Sequence, residues 1–400
     1  MILSEQNPAA INRFKLVWVM GFTQIFAWAS SYYLPAVLAP KIAADTGWAM
    51  TTVVGGLSWG MLVAGASAPT VGRQIDRHGG RSVLAVSSLL LALGMLIMGL
   101  AYNVAAYYLA WTMVGFAMAA GLYDAAFSTL ARLFGDSSRT SITGLTLIAG
   151  FASTVGWPLI AGLESSIGWR GTCFALAAIH LLICFPMHRV LIPGRSQQPS
   201  LPVIPEPEVE PGARCDYLFI WTAFILTALA LVVSGMSVHL LNILQLLGIA
   251  TAVSLTLGMV FGPAQGVARI TEFSLGSNLH PTWSTRIGLL LCIAGLGLLT
   301  PGVVWLAFVA IALYGAGSGI LTIVRGTLPL ALFGPRGYGA RMGRLARPIL
   351  VAQACGPIAA AFVLHRFGAQ MLLGLMCTIL VLCCVATWRL PGVPIDCRGR

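Results

Sequence analysis

Runs of apolar residues, each about long enough to cross a bilayer, follow one another through almost the whole of this sequence, and no soluble core could absorb them. They fall at 16–38, 51–72, 82–102, 105–131, 141–163 and 169–191, then at 217–242, 250–271, 285–302, 304–332, 343–364 and 367–389. Six precede residue 200 and six follow it. Charge is scarce to match. Only 9% of the 400 residues are charged and 58% are hydrophobic, whereas soluble domains carry about 25% charged residues because their surfaces face water. The 45 glycines and 21 prolines fit the same reading, since both residues are commoner in membrane helices than in soluble ones. Soluble catalysis, nucleic-acid binding and a secreted disulfide scaffold are excluded. The expected class is an all-α polytopic membrane protein.

The net charge of +11 is a topology signal rather than a nucleic-acid footprint. With the N-terminus inside, 19 of the 23 basic residues fall in the loops and tails of one side, and only Lys41, Arg170 and Arg366 fall on the other. That asymmetry obeys the positive-inside rule and predicts both termini in the cytoplasm of a cell whose inner (plasma) membrane holds the chain. Arg13 and Lys15 before an apolar run, with Ala27-Trp28-Ala29 after it, resemble a signal peptide and its cleavage site. The run continues through Tyr32, Leu34 and Val37, however, and cleavage would spoil the even division of spans. The 9 cysteines include no CxxC pair. Those within spans read as small hydrophobes; binding of a soft metal or arsenic would need two or three thiols to converge.

Between the two sets of spans, Pro193, Pro199, Pro202, Pro205, Pro207 and Pro211 alternate with Glu206, Glu208 and Glu210. Proline at this density favours an extended spacer. The chain therefore divides into a six-helix unit at 1–192, a cytoplasmic linker at 193–216 and a second six-helix unit at 217–400. The units share local matches. Val71-Gly72-Arg73-Gln74-Ile75-Asp76 ends the second span and Val267-Ala268-Arg269-Ile270-Thr271-Glu272 ends the eighth. Gly156-Trp157-Pro158 corresponds to Cys355-Gly356-Pro357, and Leu133-Phe134-Gly135 to Leu332-Phe333-Gly334. Matches in order at a nearly constant offset indicate a duplicated unit, and parallel repeats around a midplane site are a recurring transporter plan.

Gly72-Arg73-Gln74-Ile75-Asp76-Arg77-His78-Gly79-Gly80-Arg81 occupies the loop between spans two and three. Its glycines permit a tight turn, Asp76 is an acceptor at a helix end, and Arg77 and Arg81 can bond helix carbonyls or carboxylates. This stretch resembles the G-x-x-x-D-R-x-G-x-R loop signature of the major facilitator superfamily. With the spans, the linker and the echo in the second half, the resemblance covers nearly the whole chain. It implies two pseudo-symmetric six-helix bundles working by alternating access. It also implies that Gly72, Asp76, Arg77, Gly80 and Arg81 latch the halves at the cytoplasmic face, against the plainer reading that the arginines only anchor topology. The second copy keeps Arg269 and Glu272 but lacks the later glycines and arginine, which leaves the latch role of Glu272 open.

Two charges lie deep inside spans, away from their ends, where each costs about 2.5–3.5 kcal/mol on insertion scales and so faces a cavity or a partner. Asp124 is in span four and Arg325 in span ten, at nearly corresponding heights of the two halves. They read as substrate-binding or proton-carrying groups, or as a static ion pair. Gln24, Trp28 and Tyr32 share one face of span one, and Tyr123 precedes Asp124. The aromatics near Tyr32 and Tyr33 read equally as interfacial anchors. His239 and Asn242 end span seven. With Gly262-Pro263-Ala264-Gln265 and Arg269, this region resembles the monocarboxylate-porter-like branch of the superfamily, which implies that Arg269 holds an anionic substrate. Gly150, Gly156, Pro158 and Gly162 resemble the glycine-proline pattern of the superfamily's antiporters, a hint of export shared with close helix packing. Spans four to six are also similar to bacterial efflux permeases for arsenite and organoarsenicals.

No phosphate loop, zinc-spaced histidines or nucleophile elbow is present. No enzyme, metal or cofactor is therefore expected. The expected function is secondary transport of a small solute, an organic anion or arsenical, by a monomeric carrier coupled to protons and surrounded by lipid. The competing class is a receptor that keeps the fold without flux.

Overall fold

A chain crossing a bilayer must satisfy its backbone polar groups internally, and this one does so with helices. The structure, a computed structural model, describes residues 12–194, 213–274 and 279–391, and every regular element among them is helical. In the first half these are α1 (Arg13–Ala29), α2 (Leu34–Thr46), α3 (Met50–His78), α4 (Gly80–Gly99), α5 (Val104–Gly121), α6 (Tyr123–Phe134), α7 (Ser138–Ala149) and α8 (Ala152–Ile179). The second half holds α9 (Ala213–Leu246), α10 (Thr251–Ser274), α11 (Pro281–Leu299), α12 (Val304–Phe333) and α13 (Tyr338–Ala386). Most of the expected linker lies outside the described residues.

Among the described residues eight helical stretches are long and apolar enough to span a membrane, but two of them, Val104–Leu191 and Tyr338–Arg389, have 88 and 52 residues. A single crossing needs about 20, so each of these folds back on itself. The first reverses at Gly135–Ser137 and again at Gly168, the second at Gly368. With α1 and α2 together as the opening crossing, the twelve spans expected from the apolar runs are present.

The repeated sequence matches have physical causes. Gly135 and Gly334, which close the two Leu-Phe-Gly motifs, end α6 and α12 at φ 53° and 71°. Gly168 and Gly368 make the hairpin reversals at φ 70° and 83°. Side chains avoid this region, and glycine does not. Gly156 brings α8 onto Ala29 of α1, and Gly356 brings α13 onto Leu231 and Ser234 of α9. One crossing contact is thus built twice.

Three apolar clusters hold the molecule together. One fills the second half around Ile225, Leu289, Val324 and Leu373, and one fills the first around Leu38, Leu91, Trp111 and Leu176. The third is shared: Met20, Ile75, Phe127 and Ile142 meet Leu330, Tyr338 and Met342. It lies toward the face that carries Arg13, Arg73, Arg77 and Arg139, here called the basic face. There α3 and α13 touch backbone to backbone, because a Cβ on Gly72 would strike the Gly339 carbonyl and one on Gly343 the Ala68 carbonyl. At the opposite face Lys41 pairs with Glu164 at 3.2 Å and Arg170 with Asp45 at 3.7 Å.

Gly356→Ala should lower the thermal midpoint in detergent, since a Cβ there meets the Leu231 carbonyl at 2.7 Å; the overpacking costs about 1–3 kcal/mol. Gly374, with nothing within 4 Å of its Cβ position, should give the opposite sign as Gly374→Ala, gaining about 0.5–1 kcal/mol of helix propensity.

Candidate substrate site and gate

Span four is two helices. α5 ends at Gly121, Leu122 is extended at ψ −168°, and α6 starts at Tyr123. The break places Asp124 in the first turn of α6, where the helix dipole favours a carboxylate. It also turns the Gly121 carbonyl toward α1, where it accepts a hydrogen bond from Gln24 Nε2.

Arg325 of α12 meets Asp124 through two parallel bonds, Nε to Oδ1 at 3.0 Å and Nη2 to Oδ2 at 2.7 Å. Bidentate guanidinium–carboxylate geometry is the strong form of such contacts. One partner belongs to each half, so the pair bridges them. The Arg325 and Asp124 side chains keep 15% and 18% exposure. On the basic side the halves close: Gly326 of α12 lies against Phe127 and Ile142, and the Tyr338 hydroxyl donates to the Gly326 carbonyl at 2.7 Å.

Arg269, counted with the basic-face charges from sequence, is an interior group. Side chains on a helix lean toward its N-terminus, and α10 runs toward the basic face, so the guanidinium points back into the membrane. It lies against Gly150, where a Cβ would collide with Nη1. The residue is only 6% exposed. Nη2 donates to Gln265 Oε1 at 3.3 Å, and Gln265 donates in turn to Ser318 Oγ at 3.3 Å. Nε is buried without a partner, and among the described residues no carboxylate comes within 4.0 Å of the guanidinium.

Aromatic rings form the adjoining wall. Trp28 Nε1 donates to Gln24 Oε1 at 3.1 Å, and the Trp28 ring lies 4.9 Å from Tyr123, 5.7 Å from Tyr32 and 6.1 Å from Tyr33. Tyr33 continues to Trp157 of α8 at 5.8 Å. Both Tyr33 and Tyr123 lie within electrostatic reach of Arg269. The structure therefore gathers Gln24, Trp28, Tyr32, Tyr123, Asp124, Arg269 and Arg325. It places His239 elsewhere, with Nε2 against the Pro357 carbonyl at 2.9 Å, while Asn242 is exposed and makes no side-chain hydrogen bond among the described residues. Trp157, Gln265 and Ser318 were not singled out from sequence as site residues. Gln265 had a signal, standing one turn before Arg269 on the same face. Among the described residues no three His, Cys, Asp or Glu side chains converge to hold a metal.

The candidate gate lies on the basic face. The Asp76 carboxylate accepts the amides of Gly339 at 3.0 Å and Ala340 at 2.7 Å, capping α13 with a residue of α3. Gly80 lets α4 approach Thr129, and Arg132 donates to the Asp76 carbonyl. Arg77 is exposed with no hydrogen bond or ion pair among the described residues, and Arg81 lies against Gly194 with Nε buried and unpartnered. In the second repeat Glu272 accepts the Ser284 hydroxyl at 2.7 Å and pairs with Arg139 of α7 at 3.5 Å. Arg139 also donates to the Leu279 carbonyl. Each half thus ends its second helix on the start of the other half's fifth. The repeat offset could have found Arg139, which stands 200 positions before Gly339.

Twelve spans in two related halves, with opposite charges bridging them above a sealed floor, define a secondary membrane transporter. The sequence model of the Major Facilitator Superfamily matches residues 20–279, and the chain belongs to that superfamily. The human organic anion transporter MFSD10 (TETRAN) superposes with a TM-score of 0.70 at 16% identity, over 94% of this chain and 99% of its own. The proton:xylose symporter XylE, solved with 6-bromo-6-deoxy-D-glucose, gives 0.72 at 12% identity over 94% and 95%. No curated protein sequence matches the chain.

Asp76→Ala and Arg139→Gln should each raise the reactivity of single cysteines introduced beneath the floor, and the pair together should raise it more than either alone. Unchanged labelling in the double variant would show that the apolar seal holds by itself.

Proposed function

We propose that this transporter carries a small organic anion with a flat, apolar body and couples its movement to protons through Asp124. The observation that carries the reading is the charge balance of the interior. Arg325 has Asp124, whereas Arg269 is buried with no carboxylate beside it among the described residues and an unpartnered Nε. A buried guanidinium without its counter-ion is costly, and a carboxylate arriving with the substrate supplies one. The rings of Trp28, Tyr33, Tyr123 and Trp157 beside it suit an unsaturated or aromatic body. The positive excess of the interior disfavours a cation.

Asp124 supplies the coupling. As a carboxylate it holds Arg325 and ties the halves; once protonated it loses the charge that makes the bidentate pair strong, and the tie weakens. An incoming anion competes with Asp124 for Arg325 and acts in the same direction. Substrate and proton thus work on one inter-half contact, as alternating access requires. The excess of basic residues on one face supports a cytoplasmic basic face in an inner membrane, with both termini inside.

Benzoate should stabilise the purified protein against heat and the neutral isostere benzamide should not. Arg269→Gln should weaken benzoate binding by roughly 10- to 100-fold, the worth of one or two charge-assisted hydrogen bonds, with Arg269→Lys intermediate. Equal stabilisation by acid and amide would remove the anion reading. In proteoliposomes, Asp124→Asn should abolish accumulation driven by a pH gradient, and wild-type accumulation in both Asp124→Asn and Arg325→Gln would sink the coupling.

A further inference from the structure

A groove on the flank of the second half serves neither the substrate site nor the gate. It lies between α9 and α13, has a volume of about 340 Å³ and is walled by Ala223, Thr227, Ala228 and Leu231 on one side and by Pro348 and Ala352 on the other. Its origin is local. Three of these residues are alanines, too short to close the gap between the helices. Pro348 stands inside α13 with no N–H for the Arg344 carbonyl, so a ring replaces a helical hydrogen bond there. Ile220 and Phe224 of α9 and Val351 of α13 beside it are 64%, 43% and 40% exposed, so the groove opens sideways to lipid. The Thr227 hydroxyl is buried in the wall with no partner among the described residues.

The basic-face end of the groove carries charge. Arg344, Pro348 and Ala352 follow one another at intervals of four and share one side of α13, so Arg344 stands where the groove meets the membrane surface. Its guanidinium lies 5.3 Å from the centre of the Phe219 ring, and Phe219 is one turn before Ala223 on α9. Arg344 and Arg347 are both exposed, and among the described residues neither makes a side-chain hydrogen bond or an ion pair. Asp216, the one acid of either helix, lies in the first turn of α9 and pairs with neither arginine.

We propose that this groove holds one anionic phospholipid, with a hydrocarbon chain between α9 and α13 and the headgroup phosphate on Arg344 and Arg347. Its position selects the occupant. The walls belong to spans seven and eleven, so only a lipid chain or another membrane-embedded helix can enter. Lipid tails are as apolar as the wall, so a chain gains little by leaving its neighbours, and the preference comes from the head. Basic pockets between helices on the cytoplasmic side bind anionic headgroups, and two unpaired arginines at the mouth provide one here. A second copy in the same orientation is disfavoured, because it would bring its own basic-face arginines beside these two. A bound chain fills the gap that the alanines and Pro348 leave, and a ligand that binds only the folded protein raises its resistance to heat.

The test uses the purified full chain in detergent, with phosphatidylglycerol and phosphatidylethanolamine of identical chains as probes and native mass spectrometry to read the affinity of the first lipid bound. Phosphatidylglycerol should bind more tightly than phosphatidylethanolamine and raise the thermal midpoint. Arg344→Gln should weaken phosphatidylglycerol about fivefold, the worth of one basic residue beside an anionic headgroup. Thr227→Phe, which fills the groove and leaves every charge in place, should weaken it by a similar factor; Thr227→Leu gives the same reading if the larger ring prevents folding. Arg13→Gln, on the basic face of the other half, should leave the affinity unchanged. Equal affinities for the two lipids would overturn the proposal, as would unchanged binding in both the Arg344 and Thr227 variants. A loss in Arg344→Gln alone would reduce the contact to general attraction by the basic face, and a loss in the Thr227 variant alone would leave a groove indifferent to charge; either result overturns it. Glycerol 3-phosphate binding as tightly as the lipid would make the chain superfluous and overturn it too.

Discussion

A charge inside a membrane protein has to be answered, because neither lipid nor apolar side chains can solvate it. The centre of this transporter is organised by that demand. Asp124 answers Arg325 across the boundary between the halves, and the two-point geometry fixes how the halves meet. Among the described residues Arg269 has no counter-ion, and its surroundings accommodate the omission: Gly150 gives the guanidinium room, Gln265 accepts one of its hydrogen bonds, and tyrosines stand nearby. Removing charge almost everywhere else is what gives these three groups their weight.

Much of this was legible in the sequence. The spans, the division into two related units and the prominence of Asp124 and Arg325 all follow from where charge is absent. The Asp76 loop was legible as well, because glycine and carboxylate spacing are local properties. Two features were less so. Arg269 could be named for an anion only through the family resemblance, since near the end of an apolar run its position alone reads as a topology anchor; the backward lean of its side chain carries it into the interior. His239, singled out for its titratable ring, is engaged by the Pro357 carbonyl instead, an interaction between distant residues that sequence spacing cannot display.

The duplicated unit kept its framework and let its chemistry drift. Positive-φ glycines recur at Gly135 and Gly334 and at Gly168 and Gly368 because a turn admits few alternatives. At the gate the same architectural position is filled by different means. Asp76 caps a helix through backbone amides, while Glu272 meets an arginine side chain. Backbone geometry is conserved between the halves where it is the only solution, and side chains differ where several solutions exist.

The contact of α3 with α13 through Gly72, Gly339 and Gly343 has a consequence for how such a protein can change over evolutionary time. A junction made by main chain against main chain has no side chains to trade, so no compensating replacement on one helix can rescue a larger residue on the other. Variation on this flank is confined to loss of the seal. The Arg139–Glu272 flank, held by flexible side chains, can be exchanged, lengthened or inverted in sign. One side of the gate is therefore frozen and the other is free to be tuned, and differences in opening rate between relatives should accumulate on the side that is free.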